Sequence, residues 1–362
     1  MHEKSQPSIS ISNRVDTNNT DIKLIIELYS NYLNSSPEII SDNPYWNSTE
    51  KAKYKDFDLS RASLFQSFTG EEIQSYYPPF ILSVDSVEEK FKIKVLYSSN
   101  TNDPKYIGSK VWAIHQLYAV KENEKWVLEN SIQNVIANWS IEKTEHIHFI
   151  YPPSHHFSKE RANQSNEFCH TILKKYNPTV LNYQFNYYIT NDIDQMGQLE
   201  NFDYYFVGIT KGKSKENLVI SANGNEFYPH EFIHQLLPAN KQRSHIIEEG
   251  LATYLGTKEN KEEYNLKMKQ LGDDLLNDSS INFNSIFDQG ITFNGYQTAY
   301  PAGAAICELV IKLKGKDGLN ELINANTTDK TRLLESLTTI LNMSENEIKT
   351  HWKQLLIKYS TL

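Results

Sequence analysis

Two hydrophobic rhythms run along this chain, and the switch between them marks its organisation. From Asp21 to Asn34, Leu24, Ile25, Leu28 and Tyr32 recur at the spacing of one helical face, with Asp21 near the N-cap. Shorter helical pieces are predicted over about 49–57 and 60–68. After Pro78-Pro79 the period falls to two. Phe80–Val84 and Phe91–Tyr97 alternate, and Val111–Val120 and Trp126–Val135 follow as strands joined by the polar turn Glu122-Asn123-Glu124-Lys125. His115, on the third of these strands, reads as a half-buried, hydrogen-bonded histidine rather than a catalytic base. The polar run over Asn138–Thr144 is a boundary.

Beyond the boundary, His146–Tyr151 alternates as a strand and stops at Pro152-Pro153. Ser158–Tyr176 is a predicted helix, and Tyr183–Thr190 and Leu218–Ser221 are strands. His146 and His148 share a strand face but lack a third ligand nearby in sequence, and His155-His156 reads as a solvated loop pair. Lys258–Leu276 forms a charged helix. Asn294–Leu313 forms another, whose small residues at 302–305 allow close packing. Two or three helices fill 318–362, one of them opened by the capping box Ser344/Glu347.

The chemistry concentrates in Asn225–Gly256, NEFYPHEFIHQLLPANKQRSHIIEEGLATYLG. His230 and His234 stand one helical turn apart, so both imidazoles leave one face and can share a zinc ion, with Glu231 in reach of a water on the metal. Pro229 is tolerated in a first turn and Pro238 ends the helix. A second helix over about 246–255 brings a carboxylate, Glu248 or Glu249, toward the pair. The helical wheel leaves both glutamates open. Thr253, four residues after Glu249, is placed to hold a ligand imidazole from behind.

HEFIH followed by EEGLATYLG resembles the gluzincin metallopeptidases of the MA clan, whose catalytic domains are like those of the M1 aminopeptidases. In that family the third ligand is the Glu preceding Gly-x-Ala, so the resemblance implies a zinc site of His230, His234 and Glu249, with Glu231 as general base. It also implies that a Tyr three residues before a Gly, at the start of a later helix, stabilises the tetrahedral intermediate. Tyr300 stands there before Gly303, with Tyr296 as its rival and His245 as the next candidate. The gap between the His pair and the Glu is shorter than in M1-type enzymes, so the loop from Pro238 to His245 must be compact. The Gly-Ala-Met-Glu-Asn strand that anchors a free amino terminus in M1 aminopeptidases has no counterpart, so exopeptidase action is not implied. A sheet ending at the metal helix suits zincins, whose substrate pairs with an edge strand.

Helices followed by a curved antiparallel sheet resemble the NTF2-like cone, and with it an accessory domain over 21–140. The expected architecture is α+β. A disordered leader (1–20) and the accessory domain precede a zincin domain (141–362) with a small sheet and a largely helical C-terminal part. A length of 362 residues suits two such units. The formal charge of −9 argues against nucleic acid, leaving a peptide or protein as the expected partner. With two cysteines, Cys169 and Cys307, a disulfide framework is excluded. No apolar run is long enough for a membrane span, and the polar first twenty residues are no signal peptide. The chain therefore reads as soluble, and export would require a signal sequence removed from its start. The competing reading is an inactive zincin scaffold that serves as a ligand- or protein-binding module. Glu231 argues against it, because a scaffold has no need of a general base. A metallohydrolase acting on a non-peptide amide is a third reading, which nothing in the sequence separates from the first.

Overall fold

The structure, a computed structural model, describes residues 9–39, 42–66, 68–99, 110–205, 212–257, 260–289, 292–293 and 296–361. The described chain is α+β, with two separate multi-stranded sheets and a helical C-terminal part.

Strand β1 (Ser10–Ile11) leads into helices α1 (Thr20–Leu33), α2 (Ser48–Lys53), α3 (Arg61–Leu64) and α4 (Gly70–Tyr76). Strands β2 (Pro79–Val87), β3 (Lys90–Ser98), β4 (Val111–Glu122) and β5 (Lys125–Glu129) follow as an antiparallel meander. The leader expected over 1–20 is part of the fold from Ile9 onward. Ser10 and Ile11 pair in parallel with Phe80 and Ile81, and Val15 joins the core; residues 1–8 lie outside those described. The N-cap of α1 is Asn19, whose side chain accepts from the Ile22 N–H, and Asp21 instead accepts from the Trp126 indole at 3.0 Å. The strand expected over 126–135 stops at Glu129. The buried Asn130 and Ser131 direct their polar groups to Glu50, Phe57, Gln198 and Asn201, and the chain coils into α5 (Ile132–Val135).

Strands β6 (Ser140–Lys143) and β7 (Ile147–Tyr151), helix α6 (Lys159–Tyr176), strand β8 (Phe185–Ile189) and helix α7 (Ile193–Leu199) come next. Strand β9 (Phe202–Tyr205) then crosses back to the first sheet and pairs antiparallel with Ala113–His115 of β4. Strands β10 (Gly212–Lys215) and β11 (Leu218–Ser221) complete the second sheet, in the order β10-β11-β8-β7-β6. Its inner pairs β11/β8 and β8/β7 are parallel and its outer pairs antiparallel.

The remainder is helical apart from the hairpin β12 (Thr292–Phe293) and β13 (Tyr296–Gln297). The helices are α8 (Pro229–Leu236), α9 (His245–Thr257), α10 (Lys261–Asn277), α11 (Phe283–Gln289), α12 (Ala299–Asn324), α13 (Lys330–Leu341) and α14 (Glu345–Ser360). α12 breaks at Gly315, which takes φ of 65°. The capping box on α14 forms as its sequence predicts. One apolar core joins α6, the second sheet and α8 to the C-terminal helices, and its Trp352 indole donates to the Ala302 carbonyl at 3.1 Å. Cys169 and Cys307 are buried and free. No helix among the described residues is long and apolar enough to cross a membrane.

The first sheet and α1 enclose a second core. His115 is fully buried there rather than half-buried, and its hydrogen bonds can be assigned by elimination. Tyr32 and Ser60 both donate to the Asp58 carboxylate, at 2.5 and 2.6 Å. Ser60 Oγ must then accept from His115 Nε2 at 2.9 Å. His115 Nδ1 in turn accepts from Tyr29 at 2.9 Å, and Tyr29 accepts from Tyr97 at 2.8 Å. Burial pushes the imidazole down to about 3, so it stays neutral, and each of its ring nitrogens has a partner.

Candidate metal centre

α8 begins where the sequence allows it. Tyr228 holds a non-helical φ of −135°, Pro229 opens the first turn, and the helix ends before Pro238. Phe232, Ile233 and Leu236 go into the core, so the helical repeat turns His230 and His234 together to the other side, ring centroids 5.3 Å apart.

α9 supplies the carboxylate. Glu249 Oε2 lies 3.2 Å from His230 Nε2 and 3.6 Å from His234 Nε2, and Oε1 lies 3.7 Å from Nδ1 of His245, the first residue of α9. One ligand atom from each of His230, His234 and Glu249 falls within 4.8 Å of the others. Burial alone would raise the Glu249 pKa. Hydrogen bonds from the two imidazoles outweigh it and hold the carboxyl well below its usual range. His234 is raised against its own burial by the same carboxylate. Two imidazole nitrogens and a carboxylate, with one side open, are a donor set that fits Zn²⁺.

Glu248 turns elsewhere. Its Oε1 accepts from Arg243 Nε at 2.7 Å. Arg243 also donates to the carbonyls of Leu237 (2.7 Å), Pro238 (2.6 Å) and Ile323 (3.1 Å). This buried guanidinium folds the short loop between α8 and α9 and ties it to the end of α12. Sequence reasoning missed it, since an arginine in a polar loop gives no sign of burial.

Glu231 is buried beside the cluster. Burial raises its pKa, against the pull of the two imidazoles. Tyr300, at the start of α12, stacks on His230 with centroids 5.5 Å apart and planes at 24°. Burial raises its hydroxyl far above the usual value, and the charges of Glu249 and Glu231 add to this. The Tyr296 side chain lies outside the described residues. Thr253 does not hold an imidazole: its buried hydroxyl and His230 Nδ1 both lack hydrogen-bond partners. His155 is not solvated either. Its Nε2 meets the buried Glu226 at 2.8 Å, and Arg161 meets the same carboxylate at 2.7 Å.

The cluster opens on a cleft of about 740 Å³. His230, Glu231, His234, Glu249 and Tyr300 line it. The lining also includes Ser63 and Gln66 from the N-terminal part and Lys213 and Lys215 of β10. A neighbouring pocket of about 570 Å³ shares His230, Glu231 and Tyr300 and adds Tyr228, which sequence reasoning overlooked. Burial, then the charge of Glu231, pushes the Tyr228 hydroxyl up to about 12. Its ring lies so close to Gly212 that a Cβ there would sit 2.2 Å from Cε1.

No protein-family model matches the chain, and no curated protein does. Among solved structures it is similar to an M1 zinc metallopeptidase from Deinococcus radiodurans, at 12% identity and a TM-score of 0.34. That match covers 78% of this chain and 62% of the other. A Glu→Ala variant of the M1 enzyme bound to a Tyr-Ser-Ala substrate aligns at 11% identity and a TM-score of 0.36, over 78% and 63%. The chain therefore spans less than two thirds of the length of either. A likeness of that degree says nothing about activity, so the chemistry has to be read from the site itself.

Proposed function

We propose that the chain is a zinc-dependent metallopeptidase. In this reading residues 141–362 carry the gluzincin-type chemistry, and residues 21–140 form an NTF2-like accessory unit that walls the cleft. The observation that carries the reading is the meeting of Glu249 with both imidazoles of the His pair, with Glu231 beside them in one open cleft. Zn²⁺ held by His230, His234 and Glu249 would lower the pKa of a water toward about 7 and polarise a scissile carbonyl. Glu231 takes the proton and returns it to the leaving amine. Its burial supports that role, because a carboxyl with a raised pKa is the better proton carrier near neutrality. Tyr300, stacked on His230 beside the cluster, donates to the developing oxyanion. β10 supports a peptide as substrate: among the described residues it is an edge strand of the second sheet, and it lines the cleft.

The ligand set is tested by comparing Glu249→Ala with Glu248→Ala. Glu249→Ala should lose one equivalent of zinc together with all cleavage of a denatured-protein library. Glu248→Ala should keep that zinc and melt at a lower temperature, because it strands a buried Arg243. Equal zinc losses, or a larger one at Glu248, would overturn the assignment. A zinc-loaded wild type that cleaves no member of the library would overturn the peptidase reading.

A further inference from the structure

A second group of ligand-type side chains lies outside the cleft, at the turn that precedes β7. The His146 side chain there is fully buried. Its Nδ1 lies 3.1 Å from the carbonyl oxygen of Tyr183. A carbonyl only accepts, so Nδ1 carries a hydrogen, and in the neutral ring Nε2 presents a lone pair. That Nε2 has no hydrogen-bond partner. A buried acceptor left unsatisfied is costly, and native proteins usually fill such a position.

Two exposed side chains converge on it. Glu145 Oε2 lies 3.9 Å from His146 Nε2, and the His170 ring, from α6, lies 5.7 Å from the His146 ring. The ligand atoms of Glu145, His146 and His170 fall within 4.8 Å of one another. The backbone around them is pinned. The His146 N–H donates to Asn166 Oδ1 of α6 at 3.0 Å, and Gln184 Nε2 donates to the Glu145 carbonyl at 2.8 Å.

We propose that Glu145, His146 and His170 form a second divalent metal site of the zinc class. Two imidazoles and one carboxylate select zinc or a neighbouring transition ion over calcium or magnesium, which favour all-oxygen shells. His146 is oriented as ligating histidines usually are, with its far nitrogen donating to a backbone carbonyl. A zinc–nitrogen bond of about 2.1 Å sets ligand atoms roughly 3.4 Å apart in a tetrahedron. Glu145 Oε2, at 3.9 Å from His146 Nε2, is already near that distance, and Glu145 and His170 are both exposed. The ion would fasten α6 to the start of β7. It would also brace Tyr183, whose hydroxyl donates to Gln235 beside His234 at 3.0 Å.

The test is zinc titration of the metal-free full chain, with bound metal counted after dialysis. Wild type should bind two equivalents at micromolar zinc. His170→Ala and Glu145→Gln, both surface changes, should each bind one. Glu249→Ala should also bind one, and His170→Ala combined with Glu249→Ala should bind none. The Glu249→Ala background separates the two sites: an equivalent there that depends on His170 supports the second site even if the catalytic reading fails. If His170→Ala binds as many equivalents as wild type, or if the His170-dependent equivalent appears only at millimolar zinc, the proposal is overturned.

Discussion

Glu248 and Glu249 are neighbours in sequence, yet a helix turns roughly 100° between them, enough to send one toward Arg243 and the other toward two imidazoles. The pair of histidines was legible from spacing alone, because a four-residue step is one helical turn. The choice between the glutamates was not, since it depends on an arginine whose burial leaves no mark on the sequence. Tyr300 is a similar case: its position before Gly303 pointed to it, whereas the stacking on His230 became visible only in the fold. If its hydroxyl serves the oxyanion, Tyr300→Phe should keep zinc and lower kcat about a hundredfold, on the order of 3 kcal/mol, with little change in KM. Tyr296→Phe and Tyr228→Phe should be milder. A larger loss at either in steady-state assays would move the donor role to that residue.

α9 is held in place by the absence of side chains. A Cβ on Gly303 of α12 would lie 2.0 Å from the Ile246 carbonyl oxygen and 2.7 Å from Gly250 Cα. A Cβ on Gly256 would lie 2.7 Å from His230 Cα. α9 therefore touches α12 near one end and α8 near the other, backbone to backbone, which sets Glu249 under the His pair. Because backbone cannot rotate away, Gly303→Ala should cost about 3 kcal/mol or more in denaturant unfolding; stability equal to wild type would contradict this packing. The small residues at 302–305 predicted a close approach, but their partner could not be read from them. Long periodic helices such as α1, α6 and α14 were legible for the same reason that they are stable, a continuous apolar face. β9 was not legible, since its four residues take their place from Ala113–His115 of a distant strand.

The two sheets belong to one interlocked molecule. Phe202, at the head of β9, packs in the core of the first sheet. Between the N-terminal part and β9 and β10, Lys213 Nζ donates to Ser63 Oγ at 2.8 Å, Lys215 to the Leu59 carbonyl, and the Tyr205 hydroxyl to the Ser63 carbonyl at 2.8 Å. A chain begun at residue 141 would leave β9 without β4 and Phe202 without cover. It should be insoluble or melt far below the full chain; a soluble fragment with the full-length melting temperature would show that the units are separable. Composition and order of elements could suggest two units but could not reveal this exchange of a strand. The central claim is that this cleft hydrolyses peptides with Glu231 as the base. It is tested most directly by measuring zinc content and cleavage together in Glu231→Gln. That variant should hold wild-type zinc and cleave at least a hundredfold more slowly. A variant that holds its zinc and keeps most of its cleavage would contradict the claim.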